Sequence, residues 1–162
     1  MKRFIVFGMI LSFVLLCGCS NDNVPAGDEK TAEEYLRDQG YKITARQGEL
    51  EKYTLEKSLL HGGTETIPYQ QAWGVQKAEP EPYFGKEIIV YGFTVKNHPL
   101  SKLWDSANVY VMLAEGRVIG GYSFPNAEIT GAYYSIDGQT LEEVTGLSFI
   151  EWRDLWQEKY GQ

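Results

Sequence analysis

Cysteine and histidine are scarce in this chain. Two of each stand among 162 residues: Cys17 and Cys19 near the start, His61 and His98 far apart. No cysteine cluster, no paired-histidine helix motif and no Asp-rich loop is present, which argues against a structural zinc or calcium site. Basic residues are the minority, 15 Lys plus Arg against 22 Asp plus Glu, for a net charge of −7. Such a surface is repelled by nucleic acid and by anionic headgroups, so nucleic-acid binding is not expected. The chain also lacks a long apolar run. Phe4 to Leu16, at 13 residues, is well short of the roughly 20 a membrane-spanning helix needs. Phosphate cradles are missing too, since Gly85-Lys86 is followed by Glu87 and no G-x-G-x-x-G occurs. No cofactor is expected.

What is present is an ordinary globular composition rich in aromatics, 43% hydrophobic and 14% Phe, Trp and Tyr. That excludes collagen, coiled coil and wholesale disorder. The length suits one domain and is too short for a two-lobed solute-binding protein.

The first residues read as an address. Lys2 and Arg3 precede the short apolar run, as in a signal peptide. Leu16-Cys17-Gly18-Cys19-Ser20 comes next and resembles the lipobox of bacterial lipoproteins, with an aliphatic residue at −3 and a small one at −1. The resemblance implies that residues 1–18 are removed and that Cys19 carries a diacylglycerol. Cys17 fits poorly, because Leu16 would stand at its −1 position. The two acyl chains would hold the protein to the extracytoplasmic side of the cell membrane. The processed chain has no free thiol, and loss of Lys2 and Arg3 leaves 13 basic against 22 acidic residues, a charge of −9. Residues 19–30, polar with Pro25 and Gly27, are expected as a flexible tether. One domain is expected over 31–162.

Within that domain the pattern predicts an α+β fold, an antiparallel sheet with helices packed on it. Thr31-Ala-Glu-Glu34 reads as a capping box opening a helix that Gly40 ends. Tyr41 to Ala45 alternates as a strand, whereas residues 49–60 suit helix and strand equally. Thr66 with Pro68 opens a short helix. Residues 87–95 place Ile89, Tyr91, Phe93 and Val95 on one strand face. Residues 108–114 and 117–124 flank Glu115-Gly116 as a hairpin, and Gly120-Gly121 suggests a bulge or a close backbone approach. Residues 131–136 read as a further strand. Thr140 and Ser148 each begin a capping box, and Phe149, Trp152, Trp156 and Tyr160 recur at helical spacing.

Ile67-Pro68, then Tyr83-Phe84-Gly85-Lys86, the strand Tyr91 through Asn97, and Val118 to Gly121 are together similar to a domain of unknown function in Gram-positive lipoproteins. The resemblance covers roughly residues 31–136. It implies a lipoprotein of α+β fold and carries no catalytic residue with it.

Candidate chemistry is thin. His61 beside Glu65, or His98 before Pro99, could pair with a carboxylate, and both also read as loop histidines. Gly121-Tyr122-Ser123-Phe124-Pro125 approaches the G-x-S-x-G elbow but ends in proline. Glu79 and Glu81 could act as the two carboxylates of a small envelope hydrolase, or be solvated loop charges. Trp104, in a polar loop, could stack on a partner or cap the sheet edge. These residues lead to an expectation of a non-enzymatic binding module, with an envelope protein or a cell-wall polymer as its partner. The alternatives are the hydrolase and a ligand or cation sensor.

Overall fold

The structure, a computed structural model, describes residues 26–161. The signal segment and Cys19 lie outside the described residues. The chain runs α1 (Asp28–Asp38), β1 (Lys42–Thr54), α2 (Ile67–Gly74), β2 (Glu87–Lys96), β3 (Ala107–Ala114), β4 (Arg117–Pro125), β5 (Tyr134–Ser135), α3 (Leu141–Thr145) and α4 (Phe149–Tyr160). The five strands form one antiparallel sheet in sequence order. The fold is α+β, as the alternation of elements predicts.

α1 starts four residues earlier than its capping-box pattern suggests, with the N-cap at Gly27 instead of Thr31. Gly27 offers no side-chain cap, and Thr31 sits inside the helix. Asp28 and Glu29 hold the first turn by complementing the positive end of the helix dipole. Residues 28–30, expected as tether, are therefore helical. The other end agrees with the pattern. Gly40 takes φ +82, its N–H bonds Arg37, and the Tyr41 N–H bonds Leu36, which together form a Schellman ending.

β1 is the unusual strand. Its 13 residues pair with the 10 of β2 through three bulges, at Thr44, Gln47 and Leu50. Each bulge adds one residue and turns the next side chains to the other face. Two-residue alternation therefore fails in KITARQGELEKYT, and the strand extends through residues 49–54, which suit either structure by pattern.

The sheet is packed on both sides. Phe93 and Val95 of β2 and Val109, Val111 and Leu113 of β3 meet Ala32 and Leu36 of α1. On the opposite face Ile88, Val90, Met112 and Ala114 meet Trp73 of α2, Leu55, Leu60 and Tyr160 of α4. Burial on both faces accounts for the almost continuous apolar runs of β2 and β3. The Glu115-Gly116 turn has positive φ at both residues, 52° and 74°, the geometry a tight hairpin requires. The capping boxes at Thr140 and Ser148 are both formed. The strand expected over 131–136 shrinks to Tyr134–Ser135, because Tyr133 turns to stack on Tyr122.

Both readings of Gly120-Gly121 hold. A bulge at Ile119 interrupts the pairing of β4 with β3. There the Gln76 carboxamide occupies the space a side chain on Gly120 would need. Its oxygen accepts the Gly121 N–H at 2.8 Å, and its nitrogen donates to the Gly121 carbonyl at 2.9 Å and also to Ala72. A side-chain amide thus does at Gly121 what a neighbouring strand would do.

Replacing Gln76 by Leu leaves both backbone groups of buried Gly121 without that partner. Each buried unsatisfied group costs about 1–3 kcal/mol. Urea denaturation of Gln76→Leu should therefore show a loss of about 2–4 kcal/mol. A midpoint equal to wild type would refute the role of the amide.

Candidate functional site

The residues singled out from sequence fall at separate places. Trp104 is half-buried against the core that α1 covers, and its backbone N–H donates to the Leu100 carbonyl. The exposed apolar residue of that loop is its neighbour Leu103, 77% accessible. Ser123 is fully buried, and its hydroxyl donates to the Ser135 carbonyl at 2.7 Å. It ties β4 to β5 and has no exposed oxygen with which to attack a substrate. His61 is half-buried after the 3-10 turn Lys57–Leu60.

Glu79 and Glu81 are brought together by one cation. Lys159 Nζ lies 2.6 Å from Glu79 Oε2 and 2.7 Å from Glu81 Oε1, and the Tyr160 hydroxyl donates to Glu81 at 3.0 Å. Against the upward push of burial, Lys159 and Tyr160 hold the Glu81 carboxyl below its ordinary value. A general acid needs the opposite shift. The trio fastens α4 to the 79–82 loop.

His98 lies in the β2–β3 connection, a loop histidine as its sequence suggests, and is buried there, 2% accessible. Its Nδ1 accepts the Leu100 N–H at 3.1 Å, which leaves Nε2 to donate to the Ile136 carbonyl at 3.1 Å. Tyr41 packs on the ring at 4.9 Å. The imidazole joins the β2–β3 connection to the turn after β5.

Beside it is a crevice of about 280 Å³, walled by Val75, Ile119 and Ile136 and edged by Tyr35 and Tyr41. Burial, helped by Asp137, pushes the Tyr41 phenol up to about 12. The charged groups at this edge answer one another, Lys77 to Asp137 at 2.8 Å.

A second concentration of side chains has no such internal closure. On the face covered by α2 and α4, the helices pack over the Ile88 and Met112 end and leave tyrosines half-exposed beyond it. Tyr110, Tyr122 and Tyr133 stack in succession, with centroids 4.9 and 4.6 Å apart and planes within 24° and 3°. Phe124 meets Tyr133 edge-on. On the side of α2, Tyr69 packs edge-on to Tyr53, whose hydroxyl accepts from the Trp73 indole.

Glu51 faces this group. The bulge at Leu50 puts it opposite Val90, whereas Glu49 lies opposite Tyr91 on the other face. The Tyr69 hydroxyl donates to Glu51. Burial chiefly, with the Glu51 charge adding to it, raises the phenol pKa of Tyr53, Tyr122 and Tyr133. For Tyr69 the bond to Glu51 is the leading cause. This cluster is not legible in the sequence because its members are spread from residue 51 to residue 133, and because alternation would put Glu49 and Glu51 on one face.

Among the described residues, no group of three or more His, Cys, Asp or Glu side chains is placed to hold a metal ion. Among them also, no helix is long and apolar enough to cross a membrane.

Burial holds the His98 pKa below its ordinary 6.5, against the opposing effects of the Ile136 bond and Asp137. The unfolded chain therefore takes up the proton more readily than the folded one. The stabilisation is complete above about 6.5 and is lost as pH falls through the folded value. Urea midpoints of wild type should fall between about pH 7 and pH 5, and His98→Asn, which keeps an acceptor for Leu100, should show a flatter slope. Equal slopes would count against this histidine. Compared with protein-family models, with curated proteins and with solved structures, the chain matches none.

Proposed function

We propose that this protein is a bacterial lipoprotein of the Gram-positive type its sequence resembles. In this reading a diacylglycerol on Cys19 anchors it to the extracytoplasmic side of the cell membrane. Residues between Cys19 and α1 hold the α+β domain off the bilayer, and the domain is a binding module, not an enzyme. Its partner is an envelope protein or a cell-wall polymer.

The observation that carries the binding role is the cluster of half-exposed tyrosines around Glu51. Aromatic side chains bury large areas at little conformational cost, and they are enriched where one protein surface recognises another molecule. Leaving six of them half-exposed on one sheet face, Tyr53, Tyr69, Tyr110, Tyr122, Phe124 and Tyr133, has a cost in solvation that a ligand would offset. The carboxylate alternative is weakened by Lys159, which neutralises Glu79 and Glu81 together.

Two measurements test the two halves of this reading. Labelling of cells with an alkynyl fatty acid should mark the chain, with globomycin blocking its processing. Cys19→Ala should abolish the label and Cys17→Ser should retain it. Persistence of the label in Cys19→Ala would overturn the anchor. Crosslinking from intact envelopes then locates the partner surface. Loss of a specific adduct in Tyr133→Ala places it at the tyrosine cluster, and loss in Trp104→Ala places it at residues 101–108. A chain that captures nothing specific would overturn the binding role.

A further inference from the structure

We infer that the tyrosine face around Glu51 binds a primary alkylammonium ion, with Glu51 as its counter-ion, phenol oxygens as further acceptors and the tyrosine stack holding the alkyl portion. The inference rests on reading the domain as a binding module and gives that module a class of ligand.

Three observations converge on it. First, the other buried or half-buried carboxylates each have a positive partner, and Asp28 and Glu29 have theirs in the positive end of the α1 dipole. Glu33 accepts from Arg37 and Arg46, Glu81 from Lys159, and Asp137 from Lys77. Glu51 is half-buried, yet among the described residues no Lys, Arg or His pairs with it, and Tyr69 is its hydrogen-bond partner. A carboxylate removed from water without a counter-ion is costly, and an arriving cation relieves that cost.

Second, among the described residues the hydroxyls of Tyr110, Tyr122 and Tyr133 make no hydrogen bond. A phenol oxygen can accept as well as donate. An ammonium group carries three donors and no acceptor, so it suits one carboxylate flanked by phenol oxygens. Aromatic walls favour a cation further through the ring quadrupole.

Third, the backbone is shaped to make the site. The Leu50 bulge is what turns Glu51 onto the tyrosine face, and Gly92 leaves room there for the Leu50 and Gln47 side chains. Bulges commonly re-aim a side chain beside a functional site. A neutral sugar could also stack on tyrosines. It would leave the Glu51 charge uncompensated in a chain already carrying −7.

The test uses the full-length lipidated chain, labelled at tyrosine Cζ, in micelles of a non-ionic detergent. The probe is n-butylammonium, with 1-butanol as its uncharged counterpart and cellotetraose as a neutral glycan. Saturable shifts of the clustered tyrosines are expected with n-butylammonium at low salt, weakening as salt screens the charge. Glu51→Gln, which keeps the shape, should weaken the apparent affinity at least about tenfold. Tyr133→Phe, which keeps the ring, should give a smaller loss. Tyr69→Phe, which frees Glu51 from its internal donor, should bind at least as well as wild type.

Equal titrations of wild type and Glu51→Gln would overturn the inference, as would equal shifts with 1-butanol. Saturation by cellotetraose alone would overturn the cation while leaving the binding module standing. No shift with any probe would also overturn the cation, and the crosslinking experiment would then decide the module separately.

Discussion

The pairing of β1 with β2 governs both faces of this fold. A 13-residue strand laid against a 10-residue one absorbs its three extra residues as bulges. Each raises the local twist and changes the face on which the next side chains lie. One turn of the strand brings Arg46 over α1, where its guanidinium meets Glu33 at 2.7 Å. Arg46 above all, against burial and with Arg37 helping, keeps the Glu33 carboxyl below its ordinary value. A later turn sends Glu51 to the opposite face. The same strand thus fastens the first helix on one side and supplies the carboxylate of the tyrosine cluster on the other.

The middle of the sheet is held in a different way. β2 and β3 are buried on both faces, so their stability comes from apolar contact with two separate helical layers. The outer side of the sheet is less complete, since β5 contributes only two residues. Polar side chains take up the remainder. Gln76 satisfies Gly121, Ser123 reaches Ser135, and His98 reaches Ile136. Residues that resemble catalytic groups in sequence, the serine of a near-elbow and one of two histidines, are in this way part of the scaffold. A buried polar group has to find a partner wherever the fold puts it.

The charges are divided in a similar manner. Lys159 sits between Glu79 and Glu81, Lys77 beside Asp137, and the arginines around Glu33. Exposed pairs of this kind add little stability individually. Their arrangement matters more for what it leaves over. Glu51 stands among phenols instead of bases, and this contrast makes the tyrosine cluster chemically distinct from the ion-paired carboxylates of the domain.

Much of the architecture is legible from local rules. The glycine ending of α1, the tight hairpin at Glu115-Gly116 and the capping boxes at Thr140 and Ser148 each depend on a few adjacent residues and form as their patterns predict. The start of α1 departs from its pattern, because the acidic first turn at Asp28 and Glu29 outweighs the Thr31 signal. Trp104, open in sequence to stacking on a partner or capping the sheet edge, is half-buried and packs against the core. By itself the sequence determined the class of fold, the turns and helix ends, and the acidic balance of charge, since these depend on composition and short-range geometry. Only the tertiary structure decided where the carboxylates and tyrosines meet. Which face a side chain takes in a bulged strand depends on the register with its partner, and that register is set by residues some 40 positions away.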